Sequence, residues 1–163
     1  MLFSKRERLI KRILVVEDEP LVAFDNEYML QDADYEVVAT VDSFAAASEV
    51  IEAEALDLVL TDLSLSGEGD GTDVARAAWA KGVPVLFVTG NCSEEAKSLA
   101  LGWLAKPYSE KVLLGALEAI DAHIQGKESK KVPEQLTLYA RAGGGMGTVT
   151  FSLRSLRGLS RRS

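Results

Sequence analysis

Four places in this sequence carry side chains that chemistry could use: the acids Glu17 and Asp18, the acid Asp62, the hydroxyl of Thr89 and the amine of Lys106. Each stands where a short apolar run ends. Three carboxylates brought close together repel, which raises their pKa values unless a cation is bound. Mg²⁺ answers that need, as a hard cation held by one or two carboxylates, water and phosphate oxygens. A carboxylate is also a nucleophile that can form an aspartyl-phosphate. Such a transfer needs positioning and charge neutralisation more than covalent help. A metal and one lysine would supply the charge, and a hydroxyl would supply a donor to the third oxygen.

For these residues to meet, the chain must bring distant segments to one patch, and its apolar pattern predicts how. Ile13-Leu14-Val15-Val16 is a β-branched run of strand length. Pro20 suits the first turn of a helix running to about Asp32, with Leu21, Phe24, Tyr28 and Met29 at helical spacing. Tyr35–Val41 reads as a second strand, and Ser43 as the N-cap of a helix through about Ala55. Leu58-Val59-Leu60 forms a third strand ending at Thr61-Asp62, followed by a glycine-rich loop over Ser64–Thr72. Asp73–Lys81 reads as a helix stopped by Gly82, with Trp79 packed on the sheet edge. Pro84–Val88 is a fourth strand, Ser93 caps a short helix to about Leu101, and Trp103-Leu104-Ala105 is a fifth strand. Ser109–Gln125 forms the last helix, with Val112, Leu113, Ala116, Leu117 and Ile120 on one face.

Five strand–helix repeats over residues 13–126 predict an α/β fold, a doubly wound five-stranded parallel sheet covered by helices on both faces. In such sheets the ligand site lies beyond the carboxyl ends of the strands, where Glu17-Asp18, Asp62, Thr89 and Lys106 fall. Residues 1–12 form a basic N-terminal extension. Residues 127–163 form a basic linker and tail, in which Leu136–Ala140 and Thr148–Leu153 read either as a loose hairpin or as part of a disordered segment.

The net charge of −7 conceals an asymmetry: residues 13–126 carry −17, while residues 1–12 carry +4 and residues 127–163 carry +6. An acidic body repels nucleic acid, so any polyanion contact must come from the ends. The single cysteine, Cys92, excludes an intramolecular disulfide and a cysteine-rich zinc site. No apolar stretch is long enough for a signal peptide or a transmembrane span. The expectation is a cytoplasmic protein.

Ile13-Leu14-Val15-Val16-Glu17-Asp18-Glu19-Pro20 resembles the opening of response-regulator receiver domains. Asp62 follows Asp18 by 44 positions and closes Asp57-Leu-Val-Leu-Thr-Asp62 as that family's phosphoacceptor does. Thr89-Gly90 after Leu86-Phe87-Val88, and Lys106-Pro107, complete the match over about residues 12–126. The resemblance implies a flavodoxin-like (βα)₅ fold and phosphorylation of Asp62 by a sensor histidine kinase or a histidine phosphotransfer protein. It implies Mg²⁺ held by Asp18, Asp62 and the main-chain carbonyl of Ser64, with Glu17 acting mostly through water. It also implies phosphoryl oxygens held by Thr89 and Lys106, and a cis peptide before Pro107. Output would pass to a downstream protein target, or the domain would act as a phosphate sink or shuttle. Thr89 and the residue at position 103 would be the switch pair. The family commonly has tyrosine or phenylalanine at 103, whereas this chain has the bulkier Trp103. Thr89 and Lys106 are only 17 residues apart, which predicts a stunted fourth helix and is similar to an alphaproteobacterial subgroup of single-domain receivers.

Taken singly, each piece has a commonplace reading: Glu17-Asp18-Glu19 as a solvated acidic loop, Asp62 as a turn cap, Lys106-Pro107 as an ordinary dipeptide. Their joint order is what carries the site. His123, near the end of the last helix, reads as structural, and Cys92 as a loop thiol. The glycines after Ser64 lack the lysine of a phosphate-binding loop. Competing functions are a regulator whose basic tail binds nucleic acid, or one whose Arg154, Arg157, Arg161 and Arg162 bind an anionic dinucleotide or membrane surface. A phosphohydrolase of the haloacid-dehalogenase type would need an acid at position 64, which is serine.

Overall fold

The computed structural model describes residues 7–129 and 131–139. Its strands are β1 (Arg12–Val16), β2 (Glu36–Val41), β3 (Leu58–Thr61), β4 (Val85–Thr89), β5 (Gly102–Ala105) and β6 (Leu136–Leu138). The helices are α1 (Pro20–Asp32), α2 (Phe44–Ala53), α3 (Gly71–Ala80), α4 (Glu94–Lys97) and α5 (Glu110–Ile124). One sheet runs in the order β2-β1-β3-β4-β5-β6, parallel throughout except for the last pair. This is the flavodoxin-like arrangement expected from five repeats, with one addition. Leu136–Leu138 joins β5 as an antiparallel sixth strand, pairing Gly102 with Leu138, Trp103 with Thr137 and Leu104 with Leu136. Thr148–Leu153, the other strand of the expected hairpin, lies outside the described residues.

The central strands are apolar on both faces because both faces are covered. Ile13, Val15, Leu58, Leu60, Leu86 and Val88 point into one core, completed by Leu30 of α1 and Leu113, Leu117 and Ile120 of α5. Their neighbours Leu14, Val16, Val59, Val85 and Phe87 point into the other, against Ala47 and Ile51 of α2 and Val74 and Ala78 of α3. The period-2 alternation of each strand thus feeds two layers.

Helix starts follow local chemistry. Ser43, Ser93 and Ser109 accept hydrogen bonds from the third residue beyond each, and Asp70 forms a reciprocal capping box with Asp73. That box starts α3 at Gly71, two residues before the expected Asp73. α4 is a single turn, as the short Thr89–Lys106 spacing predicts.

Two expectations about faces are corrected. On α1, three of the four residues at helical spacing turn outward: Leu21, Phe24 and Tyr28 are 80%, 64% and 60% exposed, whereas Met29 packs against the core and Asn26 and Leu30 are buried. Trp79 is 45% exposed rather than packed on the sheet edge, because the small Ala75 and Ala78 make the inward contact of α3.

Candidate functional site

The strands deliver the candidate residues to one end of the sheet. Glu17 and Asp18 follow β1 directly, and Asp62 follows β3. The Asp62 amide donates to the Val16 carbonyl at 3.0 Å, which locks the two acidic loops side by side. Glu17 and Asp62 are buried. One carboxylate oxygen from each of Glu17, Asp18 and Asp62 lies within 4.8 Å of the other two. Between two of them sits the ammonium of Lys106, 2.7 Å from Glu17 Oε1 and 2.6 Å from Asp62 Oδ2.

The electrostatics follow from this packing. Burial raises the Glu17 carboxyl above its ordinary value, and the hydrogen bond from Lys106 only partly offsets that. For Lys106, burial works against the charge, but hydrogen bonds to Asp62 and then Glu17 outweigh it and hold the group well above its usual range. The lysine is therefore a fixed cation. One ammonium faces three acids, so the cluster retains negative charge, and a divalent cation fits the donor set. Its oxygens are hard carboxylates within a single ion's reach.

The loop after β3 is tied to the acids at both ends. The Ser64 amide donates to Asp62 Oδ1 at 3.1 Å, and Ser66 Oγ donates to Asp18 Oδ2 at 3.0 Å. Gly71 closes the loop, its amide donating to the Leu63 carbonyl at 2.8 Å. The α3 start then lies so close to the Asp62 backbone that a β-carbon at Gly71 would fall 2.1 Å from the Asp62 carbonyl oxygen. Ser66 did not stand out in the sequence, and Gly71, read there as one of three glycines in the Ser64–Thr72 loop, is instead the first residue of α3. Only the fold makes a serine or glycine in that loop special.

Thr89 ends β4, level with Ala105 in the neighbouring strand. Its carbonyl accepts two hydrogen bonds, from the Lys106 amide at 3.0 Å and from the Trp103 indole at 2.9 Å. Trp103 is thus bonded to the backbone of Thr89, its proposed switch partner. Its larger ring brings a donor that phenylalanine lacks. The Lys106-Pro107 peptide is cis.

Two further polar contacts escaped the sequence reading. Tyr108 donates its hydroxyl to the buried Asn26 Oδ1 at 2.9 Å, pinning the residues after Lys106 to α1, and burial pushes its phenol up to about 12. Cys92, read from the sequence as a loop thiol, is buried and lies 3.3 Å from the Tyr139 hydroxyl. Arg154, Arg157, Arg161 and Arg162 lie outside the described residues.

Comparison with known proteins points the same way as the geometry. The model of the response regulator receiver domain matches residues 13–118. Sensory transduction protein RegX3 of Mycobacterium bovis is 38% identical over 114 residues, covering 66% of this chain and 49% of that protein. Transcriptional regulatory protein PdtaR of Mycobacterium tuberculosis is 32% identical over 114 residues, covering 66% and 55%. The chain spans about half the length of these curated relatives. Among solved structures, chemotaxis response regulator CheY4 of Vibrio cholerae superposes with a TM-score of 0.62 at 27% identity, covering 68% of this chain and 98% of that one. The receiver domain of sensor histidine kinase PA1611 from Pseudomonas aeruginosa, with a magnesium ion coordinated in its active-site cleft, gives a TM-score of 0.58 at 26% identity, covering 66% and 94%. No helix among the described residues is long and apolar enough to cross a membrane.

Proposed function

This chain belongs to the response regulator receiver domain family, and on that premise we propose that Asp62 accepts a phosphoryl group from a phosphohistidine. The donor is a sensor histidine kinase or a histidine phosphotransfer protein. The observation that carries the reading is the position of Lys106, whose ammonium lies 2.6 Å from Asp62 Oδ2 inside a cluster of three acids. A buried carboxylate serving only structure would need no further acids beside it.

In the reaction, a carboxylate oxygen of Asp62 attacks phosphorus. The new O–P bond forms as the P–N bond breaks, and the electron pair leaves with the imidazole nitrogen, which takes up a proton. Lys106 moves its hydrogen bond from Asp62 to a phosphoryl oxygen, and the Thr89 hydroxyl donates to another. Asp18, Asp62 and the Ser64 carbonyl would hold Mg²⁺, with Glu17 reaching it through water, as supported by the acidic cluster here and by the ion in the PA1611 receiver's cleft. When bound, Mg²⁺ would offset the charge of the acids and of the phosphoryl oxygens. Glu17 keeps Lys106 charged and aimed, and the Asp62–Ser64 backbone holds the nucleophile. Output by contact with a downstream protein, or service as a phosphate sink, follows from the same reading.

The test is phosphate incorporation from acetyl phosphate and Mg²⁺, followed by intact mass. The expected result is one phosphate on the parent chain and none on Asp62→Asn or in excess chelator. Incorporation that persists in Asp62→Asn would overturn the assignment.

A further inference from the structure

The segment that follows α5 returns to the body of the domain and is received there by two glycines. Pro133 lies against Gly115 of α5, where a β-carbon would come within 3.3 Å of its ring. Leu136–Leu138 then pairs along β5. A side chain at Gly102 would meet the Thr137 carbonyl oxygen at 2.6 Å, so that strand can approach only because position 102 has none. Leu136 is buried, and the Tyr139 amide closes the path with a hydrogen bond to the Leu101 carbonyl at 3.0 Å. Residues 133–139 are thus seated in a place shaped for them.

The far end of this seat touches the loop that leaves the candidate site. Tyr139 places its hydroxyl 3.3 Å from Cys92 Sγ, three residues beyond Thr89. Burial, then the Cys92 contact, keeps the Tyr139 phenol well above its usual range, so its hydroxyl proton is retained. Trp103, hydrogen-bonded to the Thr89 carbonyl, faces Thr137 of β6 across the ladder. Phe87, Cys92, Trp103 and Tyr139 share one apolar cluster. Two routes therefore run from Thr89 to the segment: along the chain to Cys92 and Tyr139, and through the indole to Thr137.

We propose that residues 133–139 form a strap whose seating reports the state of Asp62, closed when Asp62 is unmodified and unseated when it is phosphorylated. The inference rests on the phosphoacceptor reading. In the structure Lys106 bonds Asp62 directly, which describes the unmodified acceptor. A phosphoryl group there would offer the Thr89 hydroxyl a new acceptor. The backbone of residues 89–92 would shift towards it, drawing Cys92 away from the Tyr139 hydroxyl that lies 3.3 Å from its Sγ. The strap carries the shortest strand of the described sheet, three ladder residues with Leu136 its one buried side chain beside the contacts of Pro133 and Tyr139, so it is the part that lets go.

Cys92 is the single cysteine of the chain, which makes it a native probe of the strap. The experiment measures the rate at which a chromogenic disulfide reagent labels the full-length protein in Mg²⁺, with and without acetyl phosphate. Intact mass on the same samples reports phosphate incorporation separately. Phosphorylation is expected to speed labelling about tenfold, the opening equilibrium that loss of roughly one net hydrogen bond corresponds to. Asp62→Asn should stay at the slow rate in both conditions. Tyr139→Ala, which uncovers the thiol without introducing a clash, should label fast in both. Gly102→Val, which drives the strap off β5, should do the same, with circular dichroism verifying that the body remains folded. A phosphorylated parent that labels no faster than the unmodified one would overturn the strap while leaving the acceptor assignment intact. So would a Tyr139→Ala chain labelled as slowly as the parent. No phosphate on the parent would overturn both readings.

Discussion

Replacing Gly71 by alanine tests whether the α3 start positions Asp62, the proposed acceptor. Gly71 is the first residue of α3, and its β-carbon would lie 2.1 Å from the Asp62 carbonyl oxygen, 2.7 Å from Leu63 Cα and 2.9 Å from the Asp62 carbonyl carbon. An ordinary carbon–oxygen contact is roughly 3.3 Å, so the overlap with Asp62 exceeds an ångström. All three opposing atoms are backbone, so no rotamer change relieves it. Overpacking of this kind costs about 1–3 kcal/mol, and the stiffer unfolded chain returns about 0.4–1 kcal/mol. A net loss of about 1–2 kcal/mol follows, or roughly 2–8 °C in Tm for a chain of this size. The functional loss should be larger, because an error of about 1 Å in a reacting group can cost on the order of 100-fold in rate. The assay pairs urea unfolding with phosphorylation by acetyl phosphate at a temperature where the variant is fully folded. Gly67→Ala is the control: its φ of +83° strains an alanine, but nothing lies within 4 Å of the added carbon. It should lose about 1 kcal/mol of stability and keep the parent's phosphorylation rate. A Gly71→Ala chain that matches the parent in both midpoint and rate would refute the reasoning.

Two further outcomes follow from charge and hydrogen bonding. Mg²⁺ at about 100 times its dissociation constant should stabilise the parent by about 2.7 kcal/mol. Asp18→Asn should remove that gain while raising the metal-free Tm, since it takes one charge from three crowded acids; differential scanning calorimetry with and without the ion checks both signs. At the opposite end of the sheet, the buried Asp121 carboxylate accepts from the Leu9 and Ile10 amides at 3.1 and 3.0 Å. Asp121→Ala leaves those amides unpaired and should cost about 1–3 kcal/mol in urea unfolding, with phosphorylation of Asp62 unchanged.

The candidate site was readable in the sequence because each of its residues ends a run that could only be a buried strand. Val16 fixes Glu17, Thr61 fixes Asp62, and a parallel sheet then has one place to put them. Faces were less readable than runs. On α1, Leu21, Phe24 and Tyr28 repeat at helical spacing yet turn outward, while the helix buries Asn26, whose Oδ1 accepts from the Tyr108 hydroxyl 82 residues away and whose Nδ2 has no partner among the described residues. A pattern of hydrophobicity has no means of marking a polar residue whose partner arrives from another element. The same limit hid the partner of β6, whose residues read as one strand of a tail hairpin and pair instead with β5. Its three residues carry too little periodicity to indicate which strand they join. The features that decide it, the missing side chains at Gly102 and Gly115, lie in the receiving surface rather than in the strand.

That receiving surface also bears on what the extension does for the sheet. With five strands alone, β5 would end the sheet with unpaired amides and carbonyls beside Trp103, an exposed template for another chain. β6 moves the edge outward to a strand of only three residues, which offers little length for pairing. A permanent cover would be better served by a longer strand with deeper burial. β6 instead has an exposed Thr137 and a half-buried Leu138, with Leu136 its one buried side chain. Marginal pairing of this kind suits an element that must leave. It places the reversible part of the structure on the side of β4 and β5 away from the acids, where Thr89 and Trp103 can reach it without disturbing the rigid strand ends that hold Asp62.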